Sequence, residues 1–187
     1  MDIKIEPLTT QNFKDLPDFR LFPYSCRYCA FWESPEFNDL TPGHTAEKLK
    51  REWIEHASRE FGNCGFILRV DGKPAGFAQY APSRFFAAVS KYRAGKLSED
   101  AIFLACLYIA RRELRGKGIG NRFFEKVESD LKKRGYAAIE TFAQTVEAAA
   151  NGNVEDWYVG PAGFFIKKGF TVKSEKGGIA LLRKELK

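Results

Sequence analysis

The sequence predicts a mixed α/β (α+β) protein in which a central, mostly antiparallel twisted sheet is flanked by helices. The run AIFLACLYIA (101–110) is almost entirely apolar, as expected of a central strand buried on both faces. Residues 121–135 follow it, and apolar side chains recur there every four positions, which is typical of an amphipathic helix. No repeat or linker interrupts the 187 residues, so we expect a single domain spanning 1–187.

The N-terminal half predicts one strand, one helix and one hairpin. Residues 3–8 (IKIEPL) form the expected first strand. Residues 45–61 indicate a helix, because apolar side chains recur at helical spacing. This apolar face consists of Ala46, Leu49, Trp53 and Ala57. Residues 64–70 and 75–81 predict two strands, and Asp71-Gly72 between them is a strong signal for a tight hairpin.

The C-terminal part predicts three further elements. Residues 137–143 (AAIETFA) indicate a strand, and residues 161–170 (PAGFFIKKGF) indicate a short helix that ends at Gly169. The chain then closes with a hairpin around Lys176-Gly177-Gly178. The order of elements therefore favours a mixed sheet with helices on its faces.

The amino-acid composition and net charge indicate the class of protein and the kind of ligand it binds. Hydrophobic residues make up 44% and charged residues 29%, which is typical of a soluble globular protein. Because no apolar run approaches the roughly 20 residues that span a bilayer, and because no signal peptide is evident, we expect a cytoplasmic protein without a membrane partner. The net charge of +6 suits a phosphorylated ligand. Since the basic residues are scattered over several elements, we do not expect nucleic acid as a partner.

A basic, glycine-rich turn, RGKGIG (115–120), joins the predicted central strand to the amphipathic helix. This position brings the free N–H groups and the positive end of a helix together with the cations Arg115, Lys117 and Arg122. The turn is therefore a candidate phosphate site. It does not match the G-x-G-x-x-G pattern, since position 121 is Asn. A Walker A loop is also excluded, because Gly72-Lys73 is followed by Pro74 and not by Ser or Thr.

The arrangement resembles the GNAT superfamily of acetyl-CoA-dependent acyltransferases. Arg115, Gly118 and Gly120 match its [Q/R]-x-x-G-x-[G/A] signature, and residues 161–170 are similar to the family's helix followed by Gly-Phe. The resemblance covers residues 101–170 and implies a GNAT-like fold with acetyl-CoA as co-substrate. It also implies acetyl transfer to a primary amine by direct attack. The acceptor, a small-molecule or a protein amine, stays open, and so does a homodimeric assembly.

The resemblance further implies which residues hold the co-substrate. The pyrophosphate is expected on the glycine turn and the start of the helix, and the pantetheine arm on the backbone of the preceding strand. A strand N–H there would polarise the thioester carbonyl. The expected cofactor-binding residues are Tyr108, Ile109, Ala110, Arg115, Gly116, Lys117, Gly118, Ile119, Gly120 and Asn121.

Two catalytic residues are implied by the resemblance, each with an alternative. Glu140 matches the strand carboxylate that serves some members as a base, and its alternative is a residue paired with Lys or Arg. Phe165 occupies the position at which a Tyr often protonates the leaving thiolate, so Tyr158 is the candidate substitute; its alternative is an ordinary half-buried aromatic. The loss of that Tyr also keeps open a catalytically weak or inactive CoA-binding regulatory module.

The segment SCRYCAFWE (25–33) contains a Cys26-x-x-Cys29 pair among aromatic residues. Four interpretations are open. A zinc site would need further ligands from Cys64, His44 or His56, and a redox dithiol would need a helix start after a strand. The other two are thiols packed in the core and a wall of the acceptor site, where Trp32 and Glu33 would recognise an apolar or cationic amine.

Overall fold

The computed structural model describes residues 1–16, 26–36, 44–92, 94–145 and 159–187. Within these ranges the helices are α1 (His44–Glu60), α2 (Ile119–Lys133) and α3 (Ala162–Ile166). The strands are β1 (Ile3–Pro7), β2 (Gly65–Val70), β3 (Lys73–Pro82), β4 (Ala101–Ile109), β5 (Ala138–Gln144), β6 (Gly160–Pro161), β7 (Thr171–Lys176) and β8 (Ile179–Glu185). In the part of the chain so described, no helix has the length and apolar character needed to cross a membrane.

All eight strands form one mixed sheet. Its order is β1-β2-β3-β4-β5-β8-β7, and β6 pairs with β5 beside this path. Neighbouring strands run antiparallel except in the β4–β5 and β5–β6 pairs, which are parallel. The predicted mixed, mostly antiparallel sheet is confirmed, whereas the two-residue strand β6 was not predicted.

The hairpin between β2 and β3 turns at the dipeptide that the sequence singled out. Asp71 has φ 51° and Gly72 has φ 74°, so both central residues adopt the left-handed conformation. A two-residue turn of this kind twists in the same sense as the strands that it joins. The turn therefore sets the pairing of Val70 with Lys73.

Each face of the sheet carries its own hydrophobic core. The predicted stripe of α2 is buried on one face, where Phe123, Val127 and Leu131 pack over the sheet. Helix α1 covers the other face together with the segment around Trp32.

Arg134, directly after α2, fixes the C-terminal end of that helix. Its guanidinium donates to the carbonyl oxygens of Phe61 (2.5 Å) and Asn63 (2.7 Å), in the turn between α1 and β2. It also pairs with Asp130 (3.1 Å), and Asp130 accepts a hydrogen bond from the Tyr80 hydroxyl (2.9 Å). Helix α2 is therefore tied to the sheet and to the end of α1.

The parallel strands β4 and β5 separate soon after they meet. They pair over only three residues, Ala101–Phe103 against Ala138–Glu140. Beyond this point β4 contains a bulge at Ala105, since Leu104 and Cys106 pair with consecutive residues of β3. A bulge bends its strand and increases the local twist. The expectation that β4 is buried on both faces is therefore wrong for 106–109, which are half-exposed beside the gap.

A side chain closes the narrow end of this gap. The Thr141 hydroxyl donates to the Leu104 carbonyl oxygen at 2.8 Å, one position beyond the last backbone pair. Both residues are buried. The hydroxyl thus supplies the hydrogen bond that the diverging backbone of β5 no longer provides.

Replacing Thr141 by Val should destabilise the protein. The substitution keeps the shape of the side chain but leaves the buried Leu104 carbonyl without its donor, which costs about 1 to 3 kcal/mol. Urea unfolding measures the loss, and Thr141→Ser, which retains the hydroxyl, is the matched control. Equal stability of Thr141→Val and wild type would show that the hydroxyl does not hold the two strands together.

Candidate active site

A cavity of about 710 Å³ occupies the gap between β4 and β5 and connects the two faces of the sheet. On the α2 face its wall is formed by the glycine turn, the start of α2 and residues of α3. On the α1 face we call its end the inner chamber, whose wall includes Cys26, Cys29, Lys50, Phe77 and Cys106. Residues 104–109 of β4 line the cavity between these ends.

The glycine turn presents bare backbone to the cavity. Gly116 (φ 75°) and Gly118 (φ 77°) both adopt the left-handed conformation, and no atom lies within 4 Å of the position that a Cβ would take at either residue. Helix α2 begins after Gly118 without a side-chain capping bond. Its first N–H groups and the positive end of its dipole therefore face a space that fits a phosphate group.

Arg115 places a positive charge beside this turn. Its guanidinium donates to the Ile109 carbonyl oxygen from Nε (3.1 Å) and from Nη2 (2.9 Å). It also lies 5.5 Å from the ring centroid of Tyr108. These contacts hold the guanidinium against the end of β4, at the cavity wall.

Within the ranges that the structure describes, no strand pairs with β4 beyond Phe103 on the β5 side, so this edge offers backbone hydrogen bonds to a ligand in the gap. The Ala110 N–H donates to Ala75 on the β3 side at 2.8 Å. Because successive N–H groups of a strand point to opposite edges, Leu107 and Ile109 direct theirs towards the gap. Of the three residues expected to pair with a pantetheine arm, Ile109 faces the gap while Tyr108 and Ala110 direct their N–H groups to β3.

Most of the expected cofactor-binding residues come together in the cavity wall. Those that line it are Tyr108, Ile109, Arg115, Gly116, Gly118, Gly120 and Asn121. The wall does not include Ala110, Lys117 or Ile119. Lys117 is exposed, and the Ile119 side chain is buried under α2 in the hydrophobic core.

Glu140 lies outside the cavity wall and is surrounded by donors. Its carboxylate accepts hydrogen bonds from Ser98 N (2.7 Å) and Ser98 Oγ (2.8 Å), and from Lys173 (3.1 Å) and Arg183 (3.2 Å). Burial alone would raise the pKa of Glu140, but the bonds from Ser98, Lys173 and Arg183 hold it below its ordinary value. These contacts favour the alternative interpretation, a structural carboxylate paired with Lys and Arg.

No proton donor stands at position 165. The Phe165 ring lines the cavity and packs at 5.2 Å from the Phe164 ring and 5.4 Å from the Phe170 ring, measured between centroids. Tyr158, the candidate substitute, lies outside the described residues. Thr141 also lines the cavity, and its hydroxyl donates to the Leu104 carbonyl oxygen.

Cys26 and Cys29 are free thiols in the wall of the inner chamber. Burial raises the pKa of Cys26 to about 12 and raises that of Cys29 as well, so both stay protonated at neutral pH. This disfavours a reactive redox dithiol, which needs a lowered pKa. Within the described residues no three His, Cys, Asp or Glu side chains are grouped as metal ligands. Both thiols line the cavity, and Cys26 also packs against the hydrophobic core, so packed thiols and a wall of the acceptor site remain as interpretations.

Trp32 and Glu33, predicted to contact the acceptor, lie one layer behind the cavity wall. The Trp32 ring is buried among Tyr92 (5.0 Å), Phe103 (5.0 Å) and Phe142 (5.8 Å). Glu33 forms a buried ion pair with Lys50. Neither Trp32 nor Glu33 lines the cavity.

Lys50 is the residue of the site that the sequence analysis missed. It lies on α1 between the buried residues Ala46 and Ile54, four positions from each. A lysine within an apolar helical stripe is rarely buried unless it is paired. The position of Lys50 within the apolar stripe of α1 therefore indicated a buried, paired lysine. The sequence of the helix alone could not identify Glu33 as its partner.

Glu140→Gln should lower the free energy of unfolding at pH 7 by about 1.5 to 3 kcal/mol, because it removes a charge that receives several hydrogen bonds. Since the folded pKa is below the unfolded one, this stabilisation is present above the unfolded pKa and is lost as pH falls through the folded pKa. The difference from wild type in urea unfolding should therefore shrink between pH 7 and about pH 3.

The exposed Glu175→Gln is the matched control and should be nearly neutral at both pH values. A Glu140→Gln variant with wild-type stability at pH 7 and no activity would instead support Glu140 as a base.

Comparison with protein families gives one clear match. A model of the "Acetyltransferase (GNAT) family" matches residues 27–162. A comparison with curated protein sequences gives no significant match.

Solved structures share the fold along nearly the whole chain. An N-acetyltransferase from Staphylococcus aureus Mu50 is 16% identical, with a TM-score of 0.60 and coverage of 100% of both chains. PaiA N-acetyltransferase from Thermoplasma acidophilum, in complex with coenzyme A, is 16% identical with a TM-score of 0.57 and covers 99% of both chains. The ribosomal-protein-S18-alanine N-acetyltransferase from Escherichia coli is 16% identical with a TM-score of 0.54, over 99% of this chain and 94% of that one.

At 16% sequence identity, the likeness to these solved structures shows a shared fold and no more. The family match, in contrast, spans well over half of the chain and includes the glycine turn and both strands that flank the cavity. On this ground the chain belongs to the GNAT acetyltransferase family.

Proposed function

We propose that the protein transfers an acetyl group from acetyl-CoA, the co-substrate of GNAT enzymes, to a primary amine. One observation carries this proposal: the cavity joins the glycine turn on one face to the inner chamber on the other, through the gap between β4 and β5. Such a passage lets the thioester and the amine approach each other from opposite faces of the sheet. Binding both together would remove most of the entropic barrier to their reaction.

The residues of the α2 face fit the phosphates of acetyl-CoA. The glycine turn and the first N–H groups of α2 would hold the pyrophosphate, with Arg115 beside them. The pantetheine arm would pair with the free edge of β4, where Leu107 and Ile109 direct N–H groups into the gap. The fit is supported by the open space over Gly116 and Gly118, which a side chain there would fill.

The reaction would proceed by direct attack. The amine nitrogen forms a bond to the acetyl carbon, the carbon–sulfur bond breaks, and the CoA thiolate leaves while the nitrogen loses a proton. A β4 N–H facing the gap would stabilise the negative charge that develops on the carbonyl oxygen. Among the described residues that line the cavity none is a carboxylate, so water is the proposed proton acceptor.

A second candidate function is a CoA-binding regulatory module with weak or no turnover. Phe165 favours it, because a phenyl ring cannot protonate the leaving thiolate. An assay of thiol release from acetyl-CoA, with a panel of primary amines, separates the two functions. Sustained release that depends on the amine supports the transferase, whereas binding of acetyl-CoA without release supports the regulatory module.

Gly118→Ala should weaken acetyl-CoA binding. The added methyl group would occupy the space over the turn and strain a left-handed residue, at a cost of about 1 kcal/mol to stability. Thermal unfolding with and without acetyl-CoA measures the effect. A ligand at 100 times its Kd stabilises the wild type by about 2.7 kcal/mol, and the variant should gain much less at the same concentration.

Gly135→Ala is the matched control, because Gly135 has φ 78°, equally open space and a position at the far end of α2. It should lose similar stability and keep the full response to acetyl-CoA. If acetyl-CoA at millimolar concentration does not stabilise the wild type, the assignment of the co-substrate is wrong.

A further inference from the structure

The inner chamber contains one charged side chain among the described residues, that of Lys50. Lys50 is only 2% exposed and lines the cavity. Its Nζ donates to Glu33 Oε1 and, at 2.8 Å, to Gln79 Oε1. Neither acceptor residue is part of the cavity wall, so Lys50 is the member of this group that a ligand in the cavity can contact.

An ammonium group has three N–H donors. Two of them are used by Glu33 and Gln79, and the third has no partner within the ranges that the structure describes. Gln79 Nε2 also donates to Glu33 Oε1 at 2.5 Å, which fixes the carboxylate that holds the lysine. The Lys50 ammonium is therefore fixed in position with one N–H left for a further acceptor, and the Lys50 side chain lines the cavity.

Lys50 keeps its charge in this position. Burial disfavours the charged form, but the neighbouring Glu33 carboxylate outweighs burial, and the pKa of Lys50 lies above its ordinary value. A buried cation with a free donor binds an anionic oxygen strongly, because little water competes for the bond.

The rest of the chamber is neutral. Cys26, Cys29 and Cys106 are protonated thiols, and the Phe77 ring lies 5.8 Å from Lys50 Nζ. No acidic side chain lines the cavity in the described segments. A second ammonium, as in a diamine or an aminoglycoside, would meet the Lys50 side chain and not Glu33, which does not line the cavity. An apolar body with a carboxylate would fit both the apolar wall and the ammonium of Lys50.

We propose that the acceptor is a small amine that carries a carboxylate, of the size of an amino acid, and that Lys50 binds this carboxylate. The proposal rests on the proposed acetyl transfer and deepens it, because it names the substrate class. Lys50 acts here as a specificity-determining residue, and the thiols and Phe77 contact the apolar part of the acceptor.

Binding of acetylated ligands tests the proposal without requiring turnover. Isothermal titration calorimetry on the CoA-saturated protein compares N-acetylleucine with N-isopentylacetamide, and N-acetyl-4-aminobutyrate with N-propylacetamide. The members of each pair differ only in the carboxylate. We expect the carboxylate to tighten binding about tenfold or more in at least one pair. N-acetylputrescine, the cationic counterpart, should bind no better than the neutral amides.

Two variants test whether Lys50 causes the preference for the carboxylate. Lys50→Met combined with Glu33→Gln removes both members of the ion pair, so that no buried charge is left unpaired. This double variant should lose the preference for the carboxylate while acetyl-CoA still raises its melting temperature. The exposed Lys133→Met on α2 is the control and should keep the preference. If the double variant does not fold, the ligand pairs on the wild type decide alone.

The proposal is overturned if neither pair shows a carboxylate preference, if no ligand binds, or if N-acetylputrescine binds as tightly as the carboxylates. The last result would assign the site to Glu33 and a cationic acceptor. A carboxylate preference in a protein that shows no thiol release would uphold the binding site and reject acetyl transfer, so the two failures are distinguishable.

Discussion

The separation of β4 from β5 is the constraint on which the functional site depends. A sheet interior normally leaves no backbone group without a partner. Here the strands pair over three residues, the bulge at Ala105 turns β4 away, and the Thr141 hydroxyl closes the narrow end. Among the described residues, the β5-facing edge of β4 has no paired strand beyond Phe103, so its N–H groups are available to an extended ligand. The same gap is the passage between the two faces of the sheet.

The two ends of that passage differ in the source of their positive charge. At the glycine turn, backbone dipoles and Arg115 create a positive surface from groups that need no ionised partner. In the inner chamber the charge of Lys50 depends on Glu33 behind it. The Cys-x-x-Cys spacing explains how both thiols lie in the wall of this chamber. Residues 26–28 form a turn, and the first and fourth residues of a turn lie close together. Both thiols can then reach one wall.

Elements governed by local patterns were predictable. The four-residue stripe identified α2, and Asp71-Gly72 identified the β2–β3 hairpin. Features that depend on distant partners were not. Lys50 is buried because of Glu33 and Gln79, which lie 17 and 29 residues away. The half-exposed end of β4 follows from a bulge that its apolar sequence does not reveal. The glycine turn was recognisable because its requirement, backbone without side chains, is itself local.

The anchoring of α2 by Arg134 has a consequence at the opposite end of the helix. The buried stripe and the bonds to Phe61 and Asn63 fix the helix axis relative to the sheet. The N–H groups after Gly118 are therefore preorganised: folding orders them, and a ligand does not lose affinity by ordering them on arrival. Affinity at the turn is thus linked to contacts more than twenty ångströms along the helix, since fifteen residues rise about 1.5 Å each.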